Sequence, residues 1–313
     1  MLPIKLQLPD SFFEEETRCD YAVSPEMKKL WAILLDMLDQ IMKICEKHNI
    51  RYYANGGTAL GAARHQGFIP WDDDLDLMML RADYNKFIEV APKELEYPYF
   101  MQTEQTDPGC RRGHIQIRNS ATTGILKSEY RYKLKFNQGV FLDIFPLDYA
   151  PDSPKEFEEF KKQIKTIRGK EYECVYLFRS MPWVKCRNIP RHICSHIKHF
   201  ILSMWAKYNH VSEDCYLQYF NEFEEFVQKY NNTPTKHLIN SPMITAGTKL
   251  LDAADFDGEP VLLPFEMFKI PVPHNYENTL KTWFGDWHKL VRGGSMHSGL
   301  IFDAEKPYSE YLK

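Results

Sequence analysis

The first long hydrophobic pattern in the chain predicts an amphipathic helix over residues 24–48. Apolar side chains recur there at intervals of three and four residues, a spacing that places them on one helical face. Ser24 offers an oxygen to the first free N–H groups, and Pro25 suits the first turn because it has no N–H to leave unpaired. The repeating positions are Leu30, Ile33, Leu34, Met37, Leu38, Ile41 and Cys45.

Shorter apolar segments predict the remainder of a mixed sheet. A strand over 50–53 leads into the turn Asn55-Gly56-Gly57, and a helix is expected over 82–91. Further strands are predicted at 75–80, near 114–118 and near 139–145. Helices and strands that follow one another in this way indicate an α+β fold, with helices packed on a mixed sheet.

The character of the chain changes after Pro146. Residues 161–207 carry eleven Lys and Arg against two Glu, a surplus of nine positive charges. A helix that begins at Pro190 would collect Ile193, Ile197, Phe200, Ile201, Met204, Trp205 and Tyr208 on one face. Two interpretations stay open, since periodicity does not separate them: this face docks on the core, which is the favoured one, or it lies on an anionic membrane. Another helix is expected over 213–230, then a Pro-rich stretch and a terminal unit over 263–308.

The length of 313 residues favours one large domain or two coupled ones. We expect an N-terminal helix and core over 1–150, a basic helical region over 151–235, and a unit over 236–313 that packs back on the core. Thirty-nine basic against forty-three acidic residues argue against a nucleic-acid partner. Seven scattered Cys without a CxxC pair, and no uninterrupted apolar window near ~18 residues, predict a cytoplasmic protein. Peripheral contact with the inner membrane surface would involve 185–208.

Candidate chemistry concentrates between Gly56 and Asp76. Four carboxylates within five residues repel one another, and a cation would relieve that cost. On a strand, Asp72, Asp74 and Asp76 would share one face, which suits one or two Mg²⁺ ions, with Mn²⁺ as the alternative. Because Mg²⁺ takes phosphate oxygens as further ligands, the substrate is expected to carry a phosphate or diphosphate.

The segment just before these acids offers groups for a phosphate. Gly56-Gly57-Thr58 follows a strand and opens a helix, so its N–H groups can approach an anion. Arg64 and His65 add cationic or donor groups. Two alternatives compete with the metal site: an EF-hand loop, in which Leu77 occupies the position that needs Gly, and a solvated acidic loop. No P-loop and no dinucleotide fingerprint occurs in the sequence.

Asp143 is the other candidate, with bulky apolar residues on both sides of it in the segment 139–148. A buried carboxylate needs a partner. One interpretation is a structural Asp bonded to the backbone or to an Arg. The other places Asp143 beside Asp74 and Asp76, where it completes the metal site and accepts a proton from an attacking hydroxyl.

These segments together are recognisable. The sequence GGTALGAARHQGFIPWDDDLDLMM (56–79) closely resembles the signature of the LicD family, which is related to the fukutin-type proteins and lies in the nucleotidyltransferase-fold superfamily. His114 to Arg118, followed by Thr122-Thr123, is similar to the family's K-x-R…T strand, with Gln116 where Lys is usual. The blocks NQGVFLDIFPLDYAP (137–151) and LPFEMFKIPVPHNYENTLKTWFGDW (263–287) agree as well. His297 is a candidate for the family's terminal histidine.

The resemblance implies a nucleotidyltransferase-like mixed sheet with a mostly helical insertion and a C-terminal unit. It also implies Mg²⁺-dependent transfer of a phospho-alcohol, typically phosphocholine from CDP-choline, to a hydroxyl of a cell-surface glycan such as lipopolysaccharide or teichoic acid, or to its lipid-linked precursor. CMP would be released.

Roles follow from this mechanism. Asp74 and Asp76 would hold Mg²⁺ across the diphosphate, with Asp72 as a ligand or supporting carboxylate, and Asp143 would bind a second metal and act as base. Gly57 and Thr58 would hold phosphate, with Gly56, His65 and Arg118 as further binding candidates, and Arg64 would offset the charge of the leaving group. Trp71 is the first candidate to contact a quaternary ammonium, with a core tryptophan as the alternative.

Two other functions compete with this one. A true nucleotidyltransferase would attack the α-phosphate of an NTP and release pyrophosphate. A catalytically inactive member would bind a glycan or a membrane, although the intact Asp74, Asp76 and Asp143 argue against it.

Overall fold

A computed structural model of the protein describes residues 2–178, 189–212, 214–293 and 299–312. Its first half alternates short strands with helices and ends in a long strand. The elements are β1 (Glu16–Arg18), β2 (Tyr21–Val23), α1 (Pro25–His48), β3 (Tyr53–Ala54), α2 (Gly56–His65), β4 (Asp76–Leu80), α3 (Arg81–Glu94), β5 (Tyr99–Gln102), β6 (Ile115–Asn119), β7 (Thr123–Leu126), α4 (Lys127–Tyr130) and β8 (Val140–Ala150).

The second half begins with three helices and then returns to the sheet. Its elements are α5 (Pro154–Phe178), α6 (Ile189–Tyr208), α7 (Cys215–Val227), β9 (His237–Asn240), β10 (Leu251–Asp252), β11 (Val261–Phe265), β12 (Phe268–Val272), α8 (Tyr276–Phe284) and β13 (Leu300–Asp303). Within the described residues, none of the helices is long and apolar enough to cross a bilayer.

The first helix forms as its sequence predicts. The Ser24 hydroxyl accepts a hydrogen bond from the Met27 N–H at 3.2 Å, and Pro25 occupies the first turn. Asn49 ends the helix in the left-handed conformation. The predicted apolar positions are buried, and α1 contacts β6 and β8 from one face of the sheet.

The long strand β8 lies at the centre of a seven-stranded mixed sheet. β4 runs parallel to it along one edge, and β3 continues the sheet antiparallel to β4. Along the other edge, β6 pairs with the first half of β8 and carries β5, while β9 pairs with the second half and carries β10. The predicted α+β class, a mixed sheet flanked by helices, is confirmed.

The elements named from sequence lie close to their predicted bounds. Strands β4, β6 and β8 and helix α3 are confirmed, whereas β3 is shorter than the predicted strand and starts at Tyr53. Residues 72–75 form irregular loop, because β4 begins only at Asp76. The division of the chain at residues 150 and 235 stays a prediction, although β9 and β10 join the sheet that the first part builds.

Helix α6 differs from the favoured expectation. It packs on α5, yet the apolar face that was expected to dock on the core is exposed, from Ile193 to Tyr208. The docked interpretation of that face is therefore wrong.

A buried ion pair joins the sheet to the helical region. Arg81, at the start of α3, donates two hydrogen bonds of 2.7 Å to the Asp148 carboxylate on β8 and one of 2.7 Å to Glu224 on α7. The Asn231 amide also donates to Asp148 at 2.8 Å. Parallel donation from a guanidinium to a carboxylate is strong and geometrically demanding. This cluster fixes α7 against the sheet.

We expect Arg81→Met to lower the free energy of unfolding by about 3–5 kcal/mol, because it leaves the buried Asp148 carboxylate without its guanidinium. Arg51→Met is the matched control, since its side chain is 57% exposed against 5% for Arg81 and its ion pair with Asp83 is long, at 3.8 Å. Arg51→Met should lower the free energy of unfolding by less than about 1 kcal/mol. Urea unfolding of both variants measures the difference, and equal losses would contradict the role given to Arg81.

Candidate active site

Two carboxylates face each other across adjacent strands at the centre of the sheet. Asp76 on β4 and Asp143 on β8 are direct partners in the parallel register. Residues paired in this way project from the same face of a sheet. Asp143 is only 6% exposed, and its N–H donates to the Leu75 carbonyl at 3.2 Å. The predicted neighbourhood of these two acids is present in the structure.

Negative charge is concentrated around Asp76. Burial, and then the charges of Asp74, Asp143 and Asp72, raise the pKa of the Asp76 carboxyl well above its usual value. Each of these effects disfavours the ionised form. A site with this electrostatic cost is stabilised when a cation joins the carboxylates.

The acidic loop before β4 forms the tightest carboxylate cluster among the described residues. Oxygens of Asp72, Asp73 and Asp74 lie within 4.8 Å of one another. Because the loop is irregular, the predicted strand alternation of Asp72, Asp74 and Asp76 is wrong, and Asp73 joins the cluster instead. The Trp31 indole N–H donates to the Asp72 carbonyl at 3.0 Å and ties the loop to α1.

Helix α2 starts beside this loop. A methyl group added to Gly57 would come within 2.8 Å of the Asp72 Oδ2 atom, so a larger residue would displace the carboxylate. Gly56 has a φ of +49°, a conformation that glycine adopts without strain. The Thr58 hydroxyl accepts a hydrogen bond from the Asp76 N–H at 2.8 Å. Thr58 therefore holds the start of β4, and through it Asp76, against the helix.

Asp143 is supported from the neighbouring strand β6. Gln116 lies opposite it in register, and its amide Nε2 donates to Asp143 Oδ1 at 2.6 Å. The Nε2 atom of His114 lies 3.1 Å from the same oxygen. His114 was predicted only as part of a motif. It lies just before β6 and two residues before Gln116, a spacing that places both side chains on one side of an extended segment.

Arg118 supports this arrangement from behind rather than in direct contact with Asp143. It donates to the Gln116 Oε1 atom, to Gln102 Oε1 at 2.9 Å and to the Gly139 carbonyl at 2.8 Å. Burial, and then the nearby Arg112, lower the pKa of Arg118 to about 9, so it stays charged at neutral pH. Its hydrogen-bond partners make it a positioning residue.

A cleft of about 340 Å³ opens beside Asp76 and the start of α2. Its lining combines backbone, a cation and aromatic rings. Among the lining residues are Asn55, Gly56, Gly57, Asp76, Phe145, Asn240, Lys249, Trp283 and Phe284. The Lys249 ammonium donates to the carbonyls of Thr282 at 2.7 Å and Trp283 at 3.2 Å, at the C-terminal end of α8. Neither Lys249 nor Trp283 was among the residues predicted to bind a substrate, although Trp283 lies in the family-like segment 263–287.

Two predicted binding residues, Arg64 and His65, lie at the opposite end of α2. Arg64 is seven residues beyond Gly57, a distance of about 10 Å along a helix. Its guanidinium donates to the carbonyls of Trp287 and Lys289 at 3.1 Å and to His65 at 3.0 Å. Burial lowers the pKa of both Arg64 and His65, with the Arg64 charge adding to the effect on His65. The structure does not bring this pair to the cleft.

The ring of Trp71 is also engaged elsewhere. It packs edge-on against Tyr21 and against His65, with centroid distances of 5.9 Å and 6.4 Å. This arrangement matches the alternative of a packed tryptophan. His297 lies outside the described residues.

The donor set fits a hard divalent cation. Every candidate ligand is a carboxylate oxygen, which Mg²⁺ and Mn²⁺ accept and softer metals do not prefer. The clustered oxygens of the acidic loop, and the pKa of Asp76 raised by burial and by the charges of Asp74, Asp143 and Asp72, both reflect an electrostatic cost that a cation would relieve.

Comparison with known proteins agrees with this geometry. Residues 49–178 match the family described as LicD/FKTN/FKRP, nucleotidyltransferase domain. The matched range contains the acidic loop, α2, β4, β6 and β8, which together build the site.

The chain is also similar to named proteins. It is 26% identical over 264 residues to the lipopolysaccharide cholinephosphotransferase LicD of Haemophilus influenzae, an alignment that covers 82% of this chain and 89% of the relative. It is 49% identical over 155 residues to ribitol 5-phosphate transferase FKRP of Mus musculus and of Homo sapiens. The FKRP alignments cover 42% of this chain and 31% of those proteins.

We expect Asp76→Asn to stabilise the metal-free protein at pH 7, because the amide removes a carboxylate whose ionisation is disfavoured in the fold. The folded pKa is raised, so above about pH 4 the folded state retains a proton that the unfolded chain has lost. Stability of the parent protein therefore falls as pH rises through that window, and the advantage of the variant grows.

Urea unfolding between pH 4 and pH 8, with a chelator present, measures the difference in stability between Asp76→Asn and the parent protein. Asp257→Asn, at an exposed position, is the control and should show no such growth with pH. A variant that is less stable than the parent protein at pH 7 would contradict the repulsion at Asp76.

Proposed function

We propose that this chain, which carries a LicD-family nucleotidyltransferase domain over residues 49–178, transfers a phospho-alcohol from a CDP-activated donor to a hydroxyl group of a glycan. The family was predicted from the sequence motifs and is confirmed by the family match. The acceptor would be a cell-surface glycan or its lipid-linked precursor. The observation that carries the proposal is the pairing of Asp76 with Asp143 beside the start of α2.

The names of the relatives support the class of transferred group. One relative is named for transfer of cholinephosphate and the other for transfer of ribitol 5-phosphate, so both move a phosphate that bears an alcohol. Phosphocholine is the favoured group, because the alignment with the cholinephosphotransferase spans 82% of this chain, against 42% for the ribitol enzyme.

The reaction is an in-line displacement. The acceptor hydroxyl oxygen attacks the phosphorus that bears the alcohol, and the bond from that phosphorus to the CMP oxygen breaks, so CMP leaves with the electron pair. Asp143 accepts the hydroxyl proton. A hydrogen bond from Gln116 and the contact with His114 hold its Oδ1 atom in place, which supports the proposed role as a base.

Asp72, Asp74, Asp76 and Asp143 would hold Mg²⁺, or Mn²⁺ in its place, and Asp73 is added to this set from the loop geometry. The ion, when bound, offsets negative charge on the diphosphate and on the departing CMP. Thr58 contributes by fixing the N–H of Asp76, and with it the strand that carries the carboxylate.

The cleft supplies contacts for the rest of the donor. Gly56 and Gly57 offer the first N–H groups of α2, where the helix dipole favours an anion. Lys249 uses two of its three ammonium donors on helix α8, so it can offer the third to a phosphate oxygen. Trp283, Phe284 and Phe145 line the cleft, and aromatic rings can attract a quaternary ammonium. These residues replace Arg64, His65 and Trp71 in the proposal.

We expect Asp74→Ala and Asp143→Asn each to lower the transfer rate by about 10³-fold, since each removes a proposed ligand and Asp143→Asn also removes the base. Purified protein is incubated with CDP-choline, Mg²⁺ and a glycan acceptor, CMP release is followed, and the acceptor is weighed by mass spectrometry. Addition of phosphocholine is the expected product.

Asp257→Asn is the control and should keep the parental rate. Full activity in either Asp74→Ala or Asp143→Asn would contradict the site. Addition of a nucleotide monophosphate from an NTP, with release of pyrophosphate, would replace the proposal with a true nucleotidyltransferase. Absence of any turnover with a panel of CDP-alcohols would favour an inactive binding member.

The two tryptophans give a matched test of the donor cleft. We expect Trp283→Ala to raise KM for CDP-choline about tenfold with a smaller change in kcat, because it removes a cation–π contact worth roughly 1–2 kcal/mol. Trp71→Ala should leave KM within about twofold, and Trp283→Phe should restore most of the affinity. A larger KM effect at Trp71 than at Trp283 would return the aromatic contact to Trp71.

A further inference from the structure

Helix α6 exposes a continuous apolar face. Seven large hydrophobic side chains on it are between 41% and 84% exposed, nearly half of the exposed large hydrophobic side chains among the described residues. They are Ile193, Ile197, Phe200, Ile201, Met204, Trp205 and Tyr208. Their spacing of three and four residues places all seven on one side of the helix. Exposed apolar patches of this extent are typical of interaction sites.

The opposite side of α6 is the one that packs on the protein. Ala206 is fully buried, the Ser203 hydroxyl donates to the Leu177 carbonyl on α5 at 2.7 Å, and the His199 ring meets Tyr176 edge-on at 5.1 Å. These small and polar side chains anchor the helix to α5. The arrangement is the reverse of a helix that covers a core, because the most apolar side chains point outward.

Charge borders the apolar face. Residues 189–208 contain three Lys or Arg and no Asp or Glu. At 3.6 residues per turn, Lys198 lies along one border of the exposed face and Lys207 along the other. Both side chains are exposed. Lysines in this position can bury their aliphatic stems and keep the ammonium groups at a polar layer.

We propose that the exposed face of α6 lies on the surface of an anionic lipid bilayer, with its apolar side chains in the acyl boundary and Lys198 and Lys207 against the headgroups. An apolar stripe flanked by basic residues, with Trp and Tyr at its edge, is the composition of helices that lie in a membrane interface. Anionic headgroups complement the positive charge, which a second copy of the same basic helix would repel. The membrane contact expected from the sequence, as the alternative to docking, involved residues 185–208. Of these, residues 185–188 lie outside the described part of the chain.

Sedimentation with vesicles tests the proposal independently of transfer activity. The full chain is mixed with vesicles of phosphatidylcholine alone or of equal parts phosphatidylcholine and phosphatidylglycerol. We expect binding to the mixed vesicles at least about tenfold stronger than to the neutral ones, and a several-fold loss at about 0.5 M salt, where the charges are screened.

Ile201→Asp and Leu262→Asp form a matched pair, since the two parental side chains are 60% and 59% exposed and the change is the same. Leu262 lies on β11, far along the chain from α6. We expect Ile201→Asp to weaken vesicle binding about tenfold and Leu262→Asp to leave it within twofold. Both variants should keep the parental unfolding midpoint, because neither side chain is buried.

Three results would overturn the proposal. These are failure of the parent protein to sediment with anionic vesicles, equal binding to neutral vesicles, and equal effects of the two substitutions. Failure to bind vesicles together with dimerisation that Ile201→Asp abolishes would assign the face to a second copy of the chain. Because none of these readouts involves CMP release, the result stands apart from the proposed phosphotransfer.

Discussion

The burial of Asp76 among other carboxylates, those of Asp74, Asp143 and Asp72, is the constraint on which the site depends. The parallel register of β4 and β8 places the two carboxylates side by side, and the acidic loop adds further negative charge. A fold that only maximised stability would place apolar residues at both positions. The chain instead surrounds one carboxylate with donors, Gln116 and His114, and leaves the other with a raised pKa. That imbalance is what a bound cation would relieve, and the cation could then accept an anionic substrate.

The strand β8 transmits this constraint to the rest of the molecule. Its first half holds Asp143 against β6, and its second half holds Asp148 against Arg81 and α7. Both acids are buried in one continuous strand, so the geometry of the site and the seating of the helical region share a single rigid element. A change at either acid therefore bears on the packing of the same strand.

Local sequence patterns were enough to predict the main helices and strands. Contacts between distant parts of the chain could not be predicted in this way. Ser24 and Pro25 mark the start of α1, and Asp143 stands out as an acid flanked on both sides by bulky apolar residues, because each signal lies within a few residues. Arg64 was predicted to lie at the phosphate because it is close to Gly57 in sequence. In the structure, the two residues lie at opposite ends of α2. Lys249 and Trp283 reach the cleft from a distant part of the chain, and no local pattern indicates such a contact. The exposure of the apolar face of α6 could not be predicted for a related reason. Hydrophobic periodicity identifies an apolar face but does not show what packs against it.

Gln116 illustrates how one substitution reorganises a buried network. The family resemblance places Lys at this position, and an ammonium has donors but no acceptor. The Gln116 amide has both: its nitrogen donates to Asp143, while its oxygen accepts from Arg118. The reverse orientation of the amide would set its oxygen against the carboxylate and its nitrogen against the guanidinium, so the network admits one arrangement. A lysine would place a second cation beside Arg118, whose pKa is already lowered by burial and by Arg112. With glutamine at this position, Asp143 has no direct contact with a lysine ammonium. The positive charge of Arg118 instead acts on the carboxylate through the neutral amide of Gln116.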